Sequence, residues 1–151
     1  MKGFISVDIP TKKYIKAFLI NRLGQQPILD RSNEFGNKLL DVLEHKNNPD
    51  RKDFSSRYDA TIRVYITMRA FQMHGANLNE TNIKHFNRFL EKKIKERFYE
   101  VMDDAMFFLP VIEANLPEAR RKLGIDIEAW QDDSMKKDYY RYRLKNNLAF
   151  F

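Results

Sequence analysis

The sequence predicts an α+β protein, with a small antiparallel sheet and two helices in its N-terminal half and an all-helical C-terminal half. Three observations carry this. Residues 4–9 and 58–71 alternate apolar with polar side chains, the period of a strand that has one covered face. From Asn79 onward the apolar residues recur at helical spacing instead. The change of period falls near Gly75, so we expect halves of 1–75 and 76–151 within a single domain; a chain of 151 residues is long enough to bury one core.

In the first half, Ile5, Val7 and Ile9 alternate with Phe4, Ser6 and Asp8, and Pro10 is expected to end this strand. Thr11 can cap a helix carrying Ile15, Phe18, Leu19 and Leu23 on one face, with Gly24 placed to stop it. Pro27-Ile28-Leu29 reads as a loop with a brief strand. Ser32 or Asn33 caps a second helix that turns Phe35, Leu39, Val42 and Leu43 inward, despite Gly36 near its start. Residues 46–53 lack any apolar period and read as a surface loop. Tyr58 to Phe71 then forms the clearest strand, with Ile62, Val64 and Ile66 on the inner face and Arg63, Tyr65, Arg69 and Phe71 on the outer.

In the second half Asn79 caps a long helix with an inward stripe of Ile83, Phe86, Leu90, Ile94, Val101 and Ala105, and Pro110 limits it. Leu116-Pro117-Glu118 is expected to open a short helix that Gly124 closes. Asp132, Asp133 or Ser134 caps a final helix from Met135 to about Asn147.

Composition narrows the function classes. There is no cysteine, which excludes disulfides, thiolate zinc sites and cysteine nucleophiles and fits a reducing compartment, so a cytoplasmic location is expected. No apolar run reaches the ~18 residues of a membrane span, and no signal-peptide core precedes Asp8. Lys and Arg number 27 against 21 for Asp and Glu, a surplus that favours polyanionic partners. The charge is also blocked, with six basic and two acidic residues in 81–99 and five acidic and no basic residues in 100–118.

Enzymatic patterns are missing. His45, His74 and His85 are isolated, no glycine-rich phosphate loop or nucleophile elbow occurs, and no cofactor is implied. Pro49-Asp50 with Glu91-Lys92-Lys93 echoes a nuclease pattern, but the second part lies on a periodic helix rather than a strand. Asp103-Asp104, Asp126 with Glu128, and Asp132-Asp133 read as caps or solvated faces. The expectation is a protein that is not an enzyme.

A binding constellation is better formed. From Pro117 to Lys145 a short helix carrying Arg120, Arg121 and Lys122 ends in glycine and is followed by a turn and a basic, tyrosine-rich helix. That order is helix-turn-helix-like or winged-helix-like. Lys137, Arg141 and Lys145 recur every four residues as one stripe, with Lys136, Tyr140 and Arg143 beside it. Arg and Lys neutralise phosphates and release counterions, and Tyr hydroxyls donate to phosphate oxygens, so duplex DNA is favoured over RNA as partner. Leu123, Ile125 and Trp130 fall at apolar positions of such a motif, whereas Asp133 stands where an apolar residue is called for. Lys84, Arg88, Lys92 and Lys95 form a second basic face on the long helix. The alternative class is a protein-interaction module, a homodimer among its forms, joined through Phe150, Phe151 and other exposed aromatics. A third, single-stranded RNA stacking on Arg63, Tyr65, Arg69 and Phe71, lacks the glycine-aromatic signature of RNA-binding sheets.

The opening Ile5-Ser6-Val7-Asp8-Ile9-Pro10 and the ending Asp133-Ser134-Met135-Lys136-Lys137-Asp138-Tyr139-Tyr140-Arg141-Tyr142-Arg143 resemble small uncharacterised DNA-associated proteins of bacterial prophages and conjugative elements. The resemblance implies a regulatory or accessory role on DNA.

Overall fold

The computed structural model describes residues 2–45 and 57–146. The elements run β1 (Phe4–Thr11), α1 (Lys13–Leu23), α2 (Glu34–Val42), β2 (Ala60–Thr67), α3 (Met68–His74), α4 (Glu80–Phe108), α5 (Ile112–Leu123) and α6 (Asp132–Lys145). The expected α+β class holds: a two-stranded antiparallel sheet with helices comes first and a helical half follows. The chain forms two compact units, residues 1–91 and 92–151, so the division falls inside α4 rather than at Gly75. The 46–53 segment, Pro49-Asp50 included, lies outside the described residues, as do Phe150 and Phe151.

In unit 1 the ladder pairs Phe4 with Thr67 through to Thr11 with Ala60. This register puts Val7 and Ile9 on the face shared with Ile62, Val64 and Ile66, all buried. Ile15, Phe18 and Leu19 of α1, Phe35 and Leu39 of α2, and Ile83, Phe86 and Leu90 of α4 are buried too. Each such side chain stabilises the fold by roughly 1.5–3 kcal/mol relative to exposure. The brief strand expected near Ile28 is a single parallel bridge to Tyr65, with Leu29 N–H donating to the Tyr65 carbonyl at 2.9 Å.

Three local expectations are corrected in this unit. Pro10 does not end β1; it pairs opposite Thr61, a place where a residue without an N–H is tolerated because β1 is an edge strand. Thr11 does not cap α1 but is fully buried, donating its hydroxyl to Asn87 Oδ1 at 2.6 Å, while Lys13 N–H is satisfied by the Asp59 carboxylate at 3.1 Å. β2 stops at Thr67, whose hydroxyl accepts from Ala70 N–H at 3.0 Å and starts α3. Arg69 and Phe71 are therefore helical, and the outer strand face required by the RNA-stacking alternative does not extend to them. Gly36 is in α2 because a Cβ there would stand 1.9 Å from the Asp30 carbonyl oxygen. The Asn33 cap is as expected, accepting from Gly36 N–H at 2.6 Å. So is the Asn79 cap of α4, which accepts from Asn82 N–H at 2.8 Å.

Unit 2 packs Ile94, Phe98 and Met102 of α4, Leu116 and Leu123 of α5, Trp130, and Met135 and Tyr139 of α6. Two helix starts differ from expectation. α5 begins at Ile112, leaving Pro117 inside it, because buried Asn115 donates to the carbonyls of Leu109 at 2.6 Å and Val111 at 3.0 Å and so braces the first turn. α6 begins at Asp132 after Gln131, so Asp132 and Asp133 sit in its first turn, where their charge favours the positive end of the helix.

Candidate nucleic-acid interface

Gly124 closes α5 in the left-handed conformation, φ 70°, with its N–H on the Arg120 carbonyl at 2.8 Å. Leu123, Ile125 and Trp130 are buried, and Trp130 meets Phe98 edge-on at 4.9 Å between centroids. The connection from Gly124 to Gln131 spans 124–131, longer than the 3–4 residue turn of a helix-turn-helix. The helix inserts Met135, not Asp133, into the core, so its apolar anchor stands two residues later than the helix-turn-helix register places it.

The inner face of α6 is fixed by one carboxylate. Asp103 of α4 accepts from the Tyr139 hydroxyl at 2.7 Å, the Tyr142 hydroxyl at 2.6 Å and Arg143 Nη1 at 3.3 Å. Tyr142 also stacks on Tyr99, centroids 4.1 Å apart. The Tyr142 phenol is pushed up to about 12, chiefly because its proton is held by Asp103 and secondly by burial. Burial and then the same carboxylate raise Tyr139 as well. Asp103 is thus not the cap or solvated charge that its sequence context implied.

This network corrects the placement of Arg143. It lies among the candidate phosphate contacts by sequence, yet it is only 7% exposed and its guanidinium faces Asp103 and the Tyr139 ring. It is not presented to a ligand. Arg120 is also drawn inward: it donates to Asp132 at 3.0 and 2.6 Å and to the Asp126 carbonyl at 2.9 Å, bracing the α5–α6 connection. Arg121 pairs with Glu118 one turn back, and Lys122 is exposed.

On the outer face Lys136, Lys137, Tyr140, Arg141 and Lys145 all reach solvent. The first four of these, with Asp133, line an open groove of about 400 Å³. Lys136 is held by Glu113 of α5, which raises its affinity for its proton. Arg141 reaches Asp138 only at 4.0 Å, and among the described residues Lys137 and Lys145 form no ion pair. Lys95 also contacts Asp138, at 3.8 Å. The acidic block is therefore partly neutralised by α6 through Lys136–Glu113 and Arg143–Asp103, and by the basic block through Arg97–Glu100 at 3.0 Å, which weakens the local field that their separation along the chain implied.

The second basic face divides between the units. Lys84 and Arg88 belong to unit 1, where Lys84 contacts Glu80 at 3.7 Å, and Lys92 and Lys95 belong to unit 2. On the sheet, Arg63 is engaged by Asp8 directly across the ladder at 2.8 and 3.1 Å. No helix among the described residues is long and apolar enough to cross a membrane, and no group of three or more His, Asp or Glu side chains among them is placed to hold a metal ion. No family model, curated protein or solved structure matches the chain.

Proposed function

We propose that the chain is a non-enzymatic DNA-binding protein that lays the outer face of α6 along the phosphate backbone, in the regulatory or accessory role implied by its resemblance to mobile-element proteins. The observation that supports this is the solvent-facing stripe of Lys137, Arg141 and Lys145, with Tyr140 beside it, on a helix whose opposite face is pinned by Asp103. A helix held in that way presents its cations without the entropy cost of ordering a loose segment. The long α5–α6 connection favours backbone contact over the base reading of an inserted recognition helix. Arg141 is the residue of the stripe suited to bidentate pairing with guanine.

The test is a fluorescence-anisotropy titration of duplex DNA at several salt concentrations, comparing the wild type with Lys137→Gln, Arg141→Gln, Lys145→Gln combined. Affinity should drop for all sequences alike, and the salt slope should flatten by about 0.9 for each phosphate no longer neutralised. Circular dichroism establishes that the variant is folded. Unchanged affinity in a folded variant removes α6 from the interface.

A second reading, an interaction module, is favoured by the end of α4. Phe107 and Phe108 are 80% and 84% exposed, stand edge to face at 5.2 Å, and continue into exposed Leu109 and Val111. Contiguous exposed apolar surface of this kind marks protein contacts. Gel filtration of Phe107→Ser, Phe108→Ser against wild type tests it: a dimer that becomes monomeric supports the module, and a wild type that is monomeric at all concentrations argues against self-association.

A further inference from the structure

Unit 1 contains a half-open cleft of about 330 Å³, within the range of small-molecule sites. Its cations come from three separate stretches of chain: Lys12 at the start of α1, Arg57 before β2, and Lys84 and Arg88 one turn apart on α4. Ile15, fully buried, and half-buried Tyr58 supply an apolar and aromatic lining. One carboxylate, Glu91, enters the cleft and contacts Lys12 at 3.6 Å. Arg57 and Arg88 have no carboxylate partner among the described residues.

The arrangement is held from behind. Asn87, 3% exposed, accepts the Thr11 hydroxyl and donates to the carbonyls of Pro10 at 2.9 Å and Ile83 at 3.0 Å. It thereby ties the turn of α4 that bears Lys84 and Arg88 to the end of β1, from which Lys12 emerges. Lys12 is met by Glu91 and Lys84 by Glu80 at 3.7 Å, so Arg57 and Arg88 leave the cleft short of negative charge, and gathering the four cations costs free energy through mutual repulsion unless an anion is bound. Burial raises the Tyr58 phenol above its ordinary value, in keeping with its place in the half-buried lining.

We infer that this cleft is a binding site for a small phosphate monoester, with Arg88, Lys84, Lys12 and Arg57 around the phosphate and Tyr58 and Ile15 against the carbon part of the ligand. Convergence of three stretches of chain and the apolar lining favour a small molecule over the backbone of a duplex. Asn87 is a positioning residue, since its own polar groups are engaged within the protein. The site is independent of the α6 proposal, because the two share no residue.

Isothermal titration calorimetry of the full chain with inorganic phosphate, adenosine 5′-monophosphate and adenosine tests the inference. Saturable binding of phosphate and of the monophosphate, with adenosine weaker by roughly tenfold or more, is expected, since hydrogen bonds to a charged group carry that much discrimination. Lys84→Gln, Arg88→Gln combined should weaken both by at least about tenfold, while the triple α6 variant should leave them unchanged. If the α4 variant misfolds, Lys12→Gln reads the same cleft from another element and should weaken phosphate binding. No saturable phosphate binding overturns the inference. So does equal weakening in the α6 variant, or displacement of phosphate by duplex DNA from the same residues.

Discussion

Two arginines set the two units apart. In unit 1, Arg63 meets Asp8 across the ladder on the outer face of the sheet, with both side chains about half exposed. In unit 2, Arg143 meets Asp103 with the guanidinium almost wholly enclosed, alongside two tyrosine hydroxyls that point at the same carboxylate. The first pair decorates a core already closed by Val7, Ile9, Ile62, Val64 and Ile66. The second is part of what closes its core. Two ion pairs of the same residue types thus differ in worth according to how much water each partner loses.

Breaking the buried pair should have the largest effect. Asp103→Ala leaves the Arg143 charge and two tyrosine hydroxyls without their shared acceptor, and a destabilisation of about 3–5 kcal/mol is expected in urea denaturation. Replacing Arg143 by Met together with Asp103 by Leu should recover much of that stability, because no orphaned charge remains. A double variant no more stable than Asp103→Ala would show that the network itself supplies the stability.

The same network predicts alkaline sensitivity. Tyr142 ionises at about 12 when folded, and Tyr139 is shifted in the same direction. Unfolded tyrosines ionise near 10. The unfolded chain therefore releases protons first, so the contribution of these groups is complete below pH ~10 and falls as pH rises toward 12. Thermal melting across that window should show the decline, and Tyr139→Phe, Tyr142→Phe combined should flatten it. An equally steep decline in the double variant would place the effect elsewhere.

In unit 1 the sharpest probe is Gly36. Replacing a helical glycine by alanine ordinarily stabilises by about 0.5–1 kcal/mol. Here the added Cβ meets the Asp30 backbone at 1.9 Å, so Gly36→Ala should instead destabilise by about 1–3 kcal/mol in the same assay. The smallest effect belongs to the exposed pair: Arg63→Ala should move the urea midpoint least of these variants, and less still at high salt. A destabilisation as large as that of Asp103→Ala would erase the contrast between the two units.

The elements of both units were legible wherever one periodic face meets one core. β1, β2, α1, α2 and the long α4 follow from alternation or helical spacing, and Asn33, Asn79, Gly24 and Gly124 mark their ends through local hydrogen bonding and backbone freedom. Boundaries failed where a side-chain bond that periodicity does not reveal was decisive. Thr11 points to Asn87 rather than capping α1, and Asn115 reaches back to start α5 before Pro117. The candidate interface was half legible. Lys137, Arg141 and Lys145 follow from the four-residue repeat, but Arg143 in the same helix carries the same charge and differs only in facing Asp103.

What the sequence by itself determined is therefore the class of fold, the order of its helices and strands apart from α3, the basic surplus and the exposed stripe of α6, because each depends on residue type and near-neighbour spacing. What only the tertiary structure decided is which charges are enclosed and which converge. Asp103 lies 36 to 40 residues before its donors, and Lys12, Arg57 and Arg88, also far apart in the chain, share a cleft. Solvation of a charge is fixed by whatever chain packs over it, and neither composition nor periodicity carries that information.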